Sequence, residues 1–163
     1  MIFDLPTFTL IHVVLSLVGI IAGLVVVGGL IAGMRFDGWT GVYLMTTVLT
    51  NVTGFGFPFA GLLPSHIVGG VSLVVLAVAI AARYWKHLAA AWRWVFVVAT
   101  VLALYLNFFV LLAQLFQKTP ALVAVAPTQQ APAFVVTQLI VLALFAGLGW
   151  AAVRGFRTEH VHG

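Results

Sequence analysis

The sequence has no cysteine and very few charged residues, and these two shortages exclude most classes of protein. Without cysteine the chain forms no disulfide, ligates no iron–sulfur cluster through thiolates and attaches no c-type haem. Only 6% of its 163 residues are Asp, Glu, Lys or Arg, against about 25% in an average soluble domain. Hydrophobic residues make up 64%, so the charges are too few to cover a water-facing surface. These figures exclude a soluble enzyme, a disordered chain and a coiled coil, and they leave an integral membrane protein.

Five apolar segments approach the roughly 20 residues that a helix needs to cross a bilayer. We predict a single all-α transmembrane bundle over residues 1–163, with spans at Phe8–Gly33, Thr40–Phe57, Ser65–Arg83, Ala90–Phe116 and Phe134–Val153. Asp37-Gly38 is a turn signal after the first span, and Thr40 is the expected N-cap of the second. The first segment lacks a basic start and exceeds the length of a signal-peptide core, so we expect it to be retained.

The few charges are distributed unevenly along the chain. Six of the seven basic residues lie in alternate connections or after the last span: Arg35, Arg83, Lys86, Arg93, Arg154 and Arg157. Only Lys118 lies on the opposite side. Because basic loops stay in the cytoplasm, we predict an external N-terminus and a cytoplasmic C-terminus. The five tryptophans lie near the predicted cytoplasmic ends, as in an interfacial aromatic belt.

No Asp, Glu, Lys or Arg falls in the middle of a predicted span. Charged residues inside a membrane usually mark ion paths, proton relays or voltage sensors, so their absence disfavours a carboxylate-driven pump. The three carboxylates, Asp4, Asp37 and Glu159, all lie outside the spans, and no nucleophile with an acid–base partner is evident. We therefore expect no catalytic activity of its own. The net charge of +4 is explained by the basic loops, so a nucleic-acid partner is not expected either.

Neutral polar residues collect in the outward-facing half of the predicted bundle. His12, Ser16, Gly19 and Gly23 share one face of the first span, and the glycine pair allows a second helix to approach closely. His66 lies at the start of the third span, with Gly70 one turn below it. The ends of the second and fourth spans bring Thr50, Asn51, Thr53, Asn107 and Gln114 to a similar depth. The depths of His12 and His66 should differ by only about 5 Å. The sequence therefore predicts an outer-leaflet polar pocket with two histidines.

Two histidines at matched depth are candidate axial ligands of a b-type haem, because haem iron accepts imidazoles. A quinone is the other candidate, since its carbonyls need neutral hydrogen-bond donors. The prediction is a redox membrane subunit that binds haem b or a quinone. The residues assigned to this site are His12 and His66, as ligands or donors, with Asn107, Thr50, Asn51, Ser16 and Gly70 around them.

Three other interpretations stay open. A transition metal could be held by His12, His66 and Asp4, although such sites usually have three or four firm ligands. The stripe of Thr46, Thr50 and Thr53 could line a channel or small-solute transporter, although threonine hydroxyls often bond to their own helix. The chain could also be a non-catalytic accessory subunit or a homo-oligomer, in which the polar residues form only interhelical hydrogen bonds.

Long stretches of the sequence resemble small bacterial polytopic membrane proteins of unassigned function. Examples are HVVLSLVGIIAGLVVVGGL, LPSHIVGGVSLVVLAVAI and ALYLNFFVLLAQLFQK, and the resemblance covers most of the chain. It implies a bacterial inner-membrane location. The composition itself makes the lipid bilayer a partner and leaves other membrane subunits or a second copy of the chain as candidate partners. The resemblance implies no activity and no site residue.

Overall fold

The computed structural model describes residues 5–58, 61 and 64–156, and within these ranges it contains helices and no strand. The helices are α1 Leu5–Ile31, α2 Asp37–Gly54, α3 Pro64–Ile80, α4 Trp92–Lys118, α5 Pro120–Val125 and α6 Pro132–Gly155, and a π-helical turn Ala81–Trp85 extends α3. Pro120 and Pro132 start α5 and α6, where a missing N–H leaves no carbonyl unsatisfied. Gly33 follows α1 in the left-handed region, with φ of 72°, which ends that helix.

Four of the helices are long and apolar enough to cross a membrane: α1, α3 with its π-helical turn, α4 and α6. Large apolar side chains point away from the bundle, among them Val74 with 66% and Leu144 with 62% of their surface exposed. In water such faces would aggregate, whereas lipid accepts them. The chain is therefore a helical membrane protein.

The predicted second span forms the 18-residue helix α2, which is not among these four. Five threonines, Asp37 and Asn51 make it the least apolar of the long helices. The predicted cap at Thr40 is wrong. The helix begins at Asp37, and the Thr40 hydroxyl donates to the Phe36 carbonyl from inside the first turn. Asp37 suits this position because a carboxylate in the first turn interacts favourably with the helix dipole.

The helices pack around α1 and α4. The main contacts of α1 are with α2, α4 and α6, and those of α4 are with α1, α3 and α6. α2 lies between α1 and α3, so these two helices stand across the bundle from each other. The largest fully buried side chains are Tyr43, Phe96, Leu76 and Leu104, and the Tyr43 hydroxyl donates to the Thr100 carbonyl at 2.8 Å.

Glycine on α1 makes its close contact with α2 and α4 possible, as the small-residue spacing predicts. A Cβ on Gly23 would lie 2.6 Å from Leu104 Cδ1 and 2.8 Å from a ring carbon of Tyr43. Real Cβ atoms do not approach this closely, so both partners occupy the space that the glycine leaves. The sequence spacing thus correctly identifies the face of α1 that meets α2 and α4.

The basic residues collect at one end of the bundle, which we call the basic end. The Arg83 guanidinium donates to Asp37 there, and this contact joins the π-helical turn to the start of α2. At the same end, Gly155 of α6 packs against the Ile31 carbonyl of α1. The described cations of this end are Arg35, Arg83, Lys86, Arg93 and Arg154. Lys118 lies at the other end of α4. Basic residues that are far apart in the sequence are thus brought to the same end of the bundle by the helix packing.

Candidate ligand-binding site

The polar side chains of α1 turn toward α2 and α4 at the end of the bundle opposite the basic end. We call this region, where α1 and α3 begin and α2 ends, the histidine end. His12 Nδ1 lies 2.8 Å from Thr53 Oγ1 on α2, and Ser16 Oγ lies 3.2 Å from Asn107 Oδ1 on α4. The predicted polar face of α1 therefore connects three helices.

The protonation of His12 follows from its partner. Thr53 Oγ1 also lies 2.7 Å from the Leu49 carbonyl, one turn back on α2. A hydroxyl has one proton, and a carbonyl oxygen can only accept, so the Thr53 proton goes to Leu49. The hydroxyl oxygen must then accept a hydrogen bond from His12 Nδ1–H. His12 is in consequence the Nδ1–H tautomer, and its Nε2 carries a lone pair that can accept a hydrogen bond or bind a metal.

An aromatic pair lies on one side of this imidazole. The Phe57 ring meets His12 edge-on with a centroid separation of 5.1 Å, and Phe8 meets Phe57 in the same way at 5.0 Å. Gly54 packs against the ring as well, since a Cβ on this glycine would lie 3.6 Å from His12 Cε1. His12 is half-buried, with a threonine on one edge and flat apolar groups beside it.

A second group of polar atoms lies deeper, between α1, α2 and α4. The Asn107 side chain accepts from Ser16 through Oδ1, but its Nδ2 and the Thr47 hydroxyl have no hydrogen-bond partner among the described residues. Thr47 is fully buried and Asn107 is 8% exposed. A Cβ on Gly19 would lie 3.1 Å from Thr47 Oγ1 and 3.6 Å from Asn107 Nδ2, so both atoms point at the same glycine.

Thr47 is the residue that sequence reasoning missed. Threonines 46, 50 and 53 form a more evident stripe in the sequence, and Thr47 lies outside it. Its position four residues after Tyr43 could have identified it, since both share the face of α2 that is fully buried.

The other predicted polar residues of α2 are bonded within their own helix. Thr50 Oγ1 donates to the Thr46 carbonyl and Asn51 Nδ2 to the Thr47 carbonyl, each at 2.8 Å. Thr46 Oγ1 donates to the Val42 carbonyl in the same way. The threonine stripe therefore uses its protons on the backbone, as threonines in apolar helices commonly do.

His66 has different neighbours from His12. Its ring is tilted by 34° over Phe55, with centroids 5.7 Å apart, while His12 lies against Thr53 and Phe57. Gly69 also faces Phe55, whereas a Cβ on Gly70 would meet nothing within 4 Å. Both histidines thus lie beside the end of α2 and the residues that follow it, but they contact different side chains there.

A metal site of three or more ligands is not found within the described ranges, where no three His, Asp or Glu side chains come together. Asp4, the third ligand considered from sequence, lies outside these ranges. The geometry therefore offers single imidazoles and neutral polar groups for ligand binding.

Comparison of the chain with protein-family models, with curated proteins and with solved structures found no match. Its fold and site define it as a helical membrane protein with a polar, histidine-containing junction of α1, α2 and α4.

Proposed function

We propose that the chain is a five-span protein of the bacterial inner membrane, with its N-terminus outside and its C-terminus in the cytoplasm. In this arrangement α2 is the additional span. It contacts its neighbours near both ends, through Asp37 with Arg83 and through Thr53 with His12. Its 18 residues give about 27 Å of helix, close to the roughly 30 Å hydrocarbon thickness. The sorting of basic residues to one end supports the orientation.

We further propose that the histidine end binds a lipid-soluble ligand of the quinone class. The observation that carries this proposal is the hydrogen bond from His12 to Thr53, which leaves Nε2 as an acceptor at the edge of an aromatic cluster. The hydroxyl of a reduced quinone would donate to this nitrogen, and its ring would lie against Phe57. A neutral ligand suits the site, because Thr53, Ser16 and Asn107 around it are uncharged hydrogen-bonding side chains.

The deeper polar atoms extend the same site. Asn107 Nδ2 is a buried hydrogen-bond donor that has no acceptor among the described residues, since Ser16 bonds to Oδ1 and the neighbouring core is apolar. An oxygen of the ligand would accept from this Nδ2. A buried donor without an acceptor destabilises a bundle by about 1–3 kcal/mol, so a ligand that satisfied it would gain affinity. Thr47 and Ser16 would position this end of the ligand.

Haem b is the second candidate, and the lone pair on His12 Nε2 is the observation that favours it. The hydrogen bond at Nδ1 is the kind of contact that orients a metal-binding imidazole. Two axial histidines must face each other across a porphyrin, however, and His66 lies against Phe55. The quinone therefore fits the described contacts better.

Extraction of the purified protein tests both ligands. Protein isolated in mild detergent should carry quinone at close to one per chain, measured by liquid chromatography and mass spectrometry of the extract. Under reducing conditions, which keep the ligand's hydroxyls, His12→Ala should weaken binding of the reduced quinone about tenfold, the value of one hydrogen bond of about 1.4 kcal/mol. His66→Ala is the matched control and should retain the quinone.

Two results would contradict the quinone proposal. Equal quinone content in the wild type and in His12→Ala would show that the co-purified quinone is not bound at this site. A Soret band that disappears in both His12→Ala and His66→Ala would establish haem instead. Recovery of the chain without either ligand, and only within a larger complex, would favour an accessory subunit.

A further inference from the structure

The basic end contains a cavity of about 230 Å³ between the start of α4 and the end of α6. This exceeds by several-fold the roughly 30 Å³ that one water takes in the liquid, so it has room for a group of several atoms. Its lining is Ala90, Ala91, Arg93, Trp94, Val97, Val153 and Phe156. One wall is thus basic and aromatic, and the other is apolar.

Arg93 gives the cavity a positive charge that the described protein does not neutralise. Asp37 is the one carboxylate within the described ranges, and it already pairs with Arg83 and Arg35. Lys86 lies over the rings of Trp85 and Trp92. Arg93 has neither an ion-pair nor a ring partner in the part of the chain that the structure describes.

The surroundings of the cavity fit the membrane interface. Trp94 is 53% exposed and lies at its rim, and Trp150 is 64% exposed on the neighbouring α6. Indole rings concentrate at the level of lipid headgroups, which places the cavity mouth at that depth. Arg154 lies over the Trp150 ring at 4.7 Å and adds a second cation at the surface.

We propose that this cavity binds the headgroup of an anionic phospholipid. The Arg93 guanidinium would bind the phosphate through paired N–H donors, an arrangement for which its planar fork is suited. Val153 would lie against the glycerol, while the buried Val97 and Phe156 close the inner side of the cavity. A basic pocket between transmembrane helices is a recognised form of lipid-headgroup site. The proposal concerns the opposite end of the bundle from His12 and does not depend on the quinone site.

Native mass spectrometry of the full chain with defined lipids tests the proposal. The probes are phosphatidylglycerol, phosphatidylcholine and inorganic phosphate, each added to delipidated protein in detergent. The wild type should retain phosphatidylglycerol in preference to phosphatidylcholine, and Arg93→Gln should reduce its retention about tenfold, as expected for one charge-assisted contact. Lys118→Gln is the matched control, because Lys118 is a cation at the other end of the same helix, and it should bind like the wild type.

A second variant separates the loss of charge from the loss of space. Ala91→Leu leaves Arg93 in place but fills part of the cavity, and it should also reduce phosphatidylglycerol retention. Retention by Arg93→Gln equal to that of the wild type would overturn the proposal. Equal retention of both lipids would overturn it as well, and displacement of the lipid by millimolar phosphate would show a small-anion site instead.

Discussion

The guanidinium of Arg83 donates to the carboxylate of Asp37, and this ion pair joins the π-helical turn after α3 to the first turn of α2. The two groups differ in environment, since the Arg83 side chain is 6% exposed and that of Asp37 is 70% exposed. The guanidinium also lies 5.5 Å from the ring centroids of Tyr84 and Phe96. A buried cation therefore depends on a carboxylate at the surface.

Asp37→Asn should destabilise the bundle by about 1–2 kcal/mol. The substitution leaves Arg83 buried without a counter-charge, but the exposure of Asp37 keeps the effect below the roughly 3–5 kcal/mol of a fully buried pair. Thermal unfolding in detergent, followed by tryptophan fluorescence, would measure it. Arg35→Gln removes only the exposed contact of 3.8 Å with Asp37 and should change stability by less than about 0.5 kcal/mol. Similar losses in both variants would contradict the assigned role of Arg83.

Gly23→Ala should destabilise the bundle by about 1–3 kcal/mol, because its Cβ would overlap Leu104 and Tyr43 and force one of them to move. Gly28→Ala is the control on the same helix, since its Cβ would meet nothing within 4 Å. That variant should be neutral or slightly stabilising, as alanine favours helix. Denaturant-induced unfolding in detergent micelles would give the free energy of unfolding of both variants. Equal values for Gly23→Ala and Gly28→Ala would disprove the close approach at Gly23.

His87→Gly should stabilise the bundle by about 0.5–1 kcal/mol. His87, Leu88 and Ala90 all have φ between 47° and 58°, a left-handed conformation that strains residues with a Cβ. His87 is exposed, so its removal relieves strain with little loss of packing. Ala89→Gly, whose φ is not in this region, should destabilise instead. A lower midpoint for His87→Gly than for the wild type in thermal unfolding would refute the prediction.

Ser16→Ala and Asn107→Ala should be coupled by about 0.6 kcal/mol, the average for a hydrogen bond between membrane helices. The double variant should therefore be less destabilised than the sum of the two single variants. A double-mutant cycle on unfolding free energies measures this term. Strict additivity would mean that the 3.2 Å contact contributes nothing to stability.

The sequence predicts the helices well because a bilayer imposes length and apolarity on every span. The predicted Ala90–Phe116 and Phe134–Val153 differ from α4 and α6 by only two residues at each end. It also predicts the inward face of α1, since glycine spacing is itself a packing signal. The start of α2 is predicted wrongly, because Asp37 is equally suited to a turn and to the first turn of a helix, where its carboxylate also meets Arg83.

The partners of polar side chains could not be predicted in the same way. In a membrane, apolar residues face both lipid and protein, so hydrophobic periodicity does not fix the rotation of a helix about its axis. The tautomer of His12 depends on Thr53, which is 41 positions away in sequence. The lack of a hydrogen-bond partner for the Thr47 hydroxyl among the described residues likewise becomes evident only when α1 is placed against it.

The contacts of α1 have a consequence for the order in which the protein is assembled. α1 is synthesised before the other described helices and can pair with α2 as soon as both have entered the membrane. Its contact with α6, where Gly155 lies on Ile31, can form only after that final helix has been inserted. Until then lipid must occupy this side of α1. A nascent chain halted after α4 would thus expose one flank of its earliest helix, a state that membrane quality-control proteases could recognise.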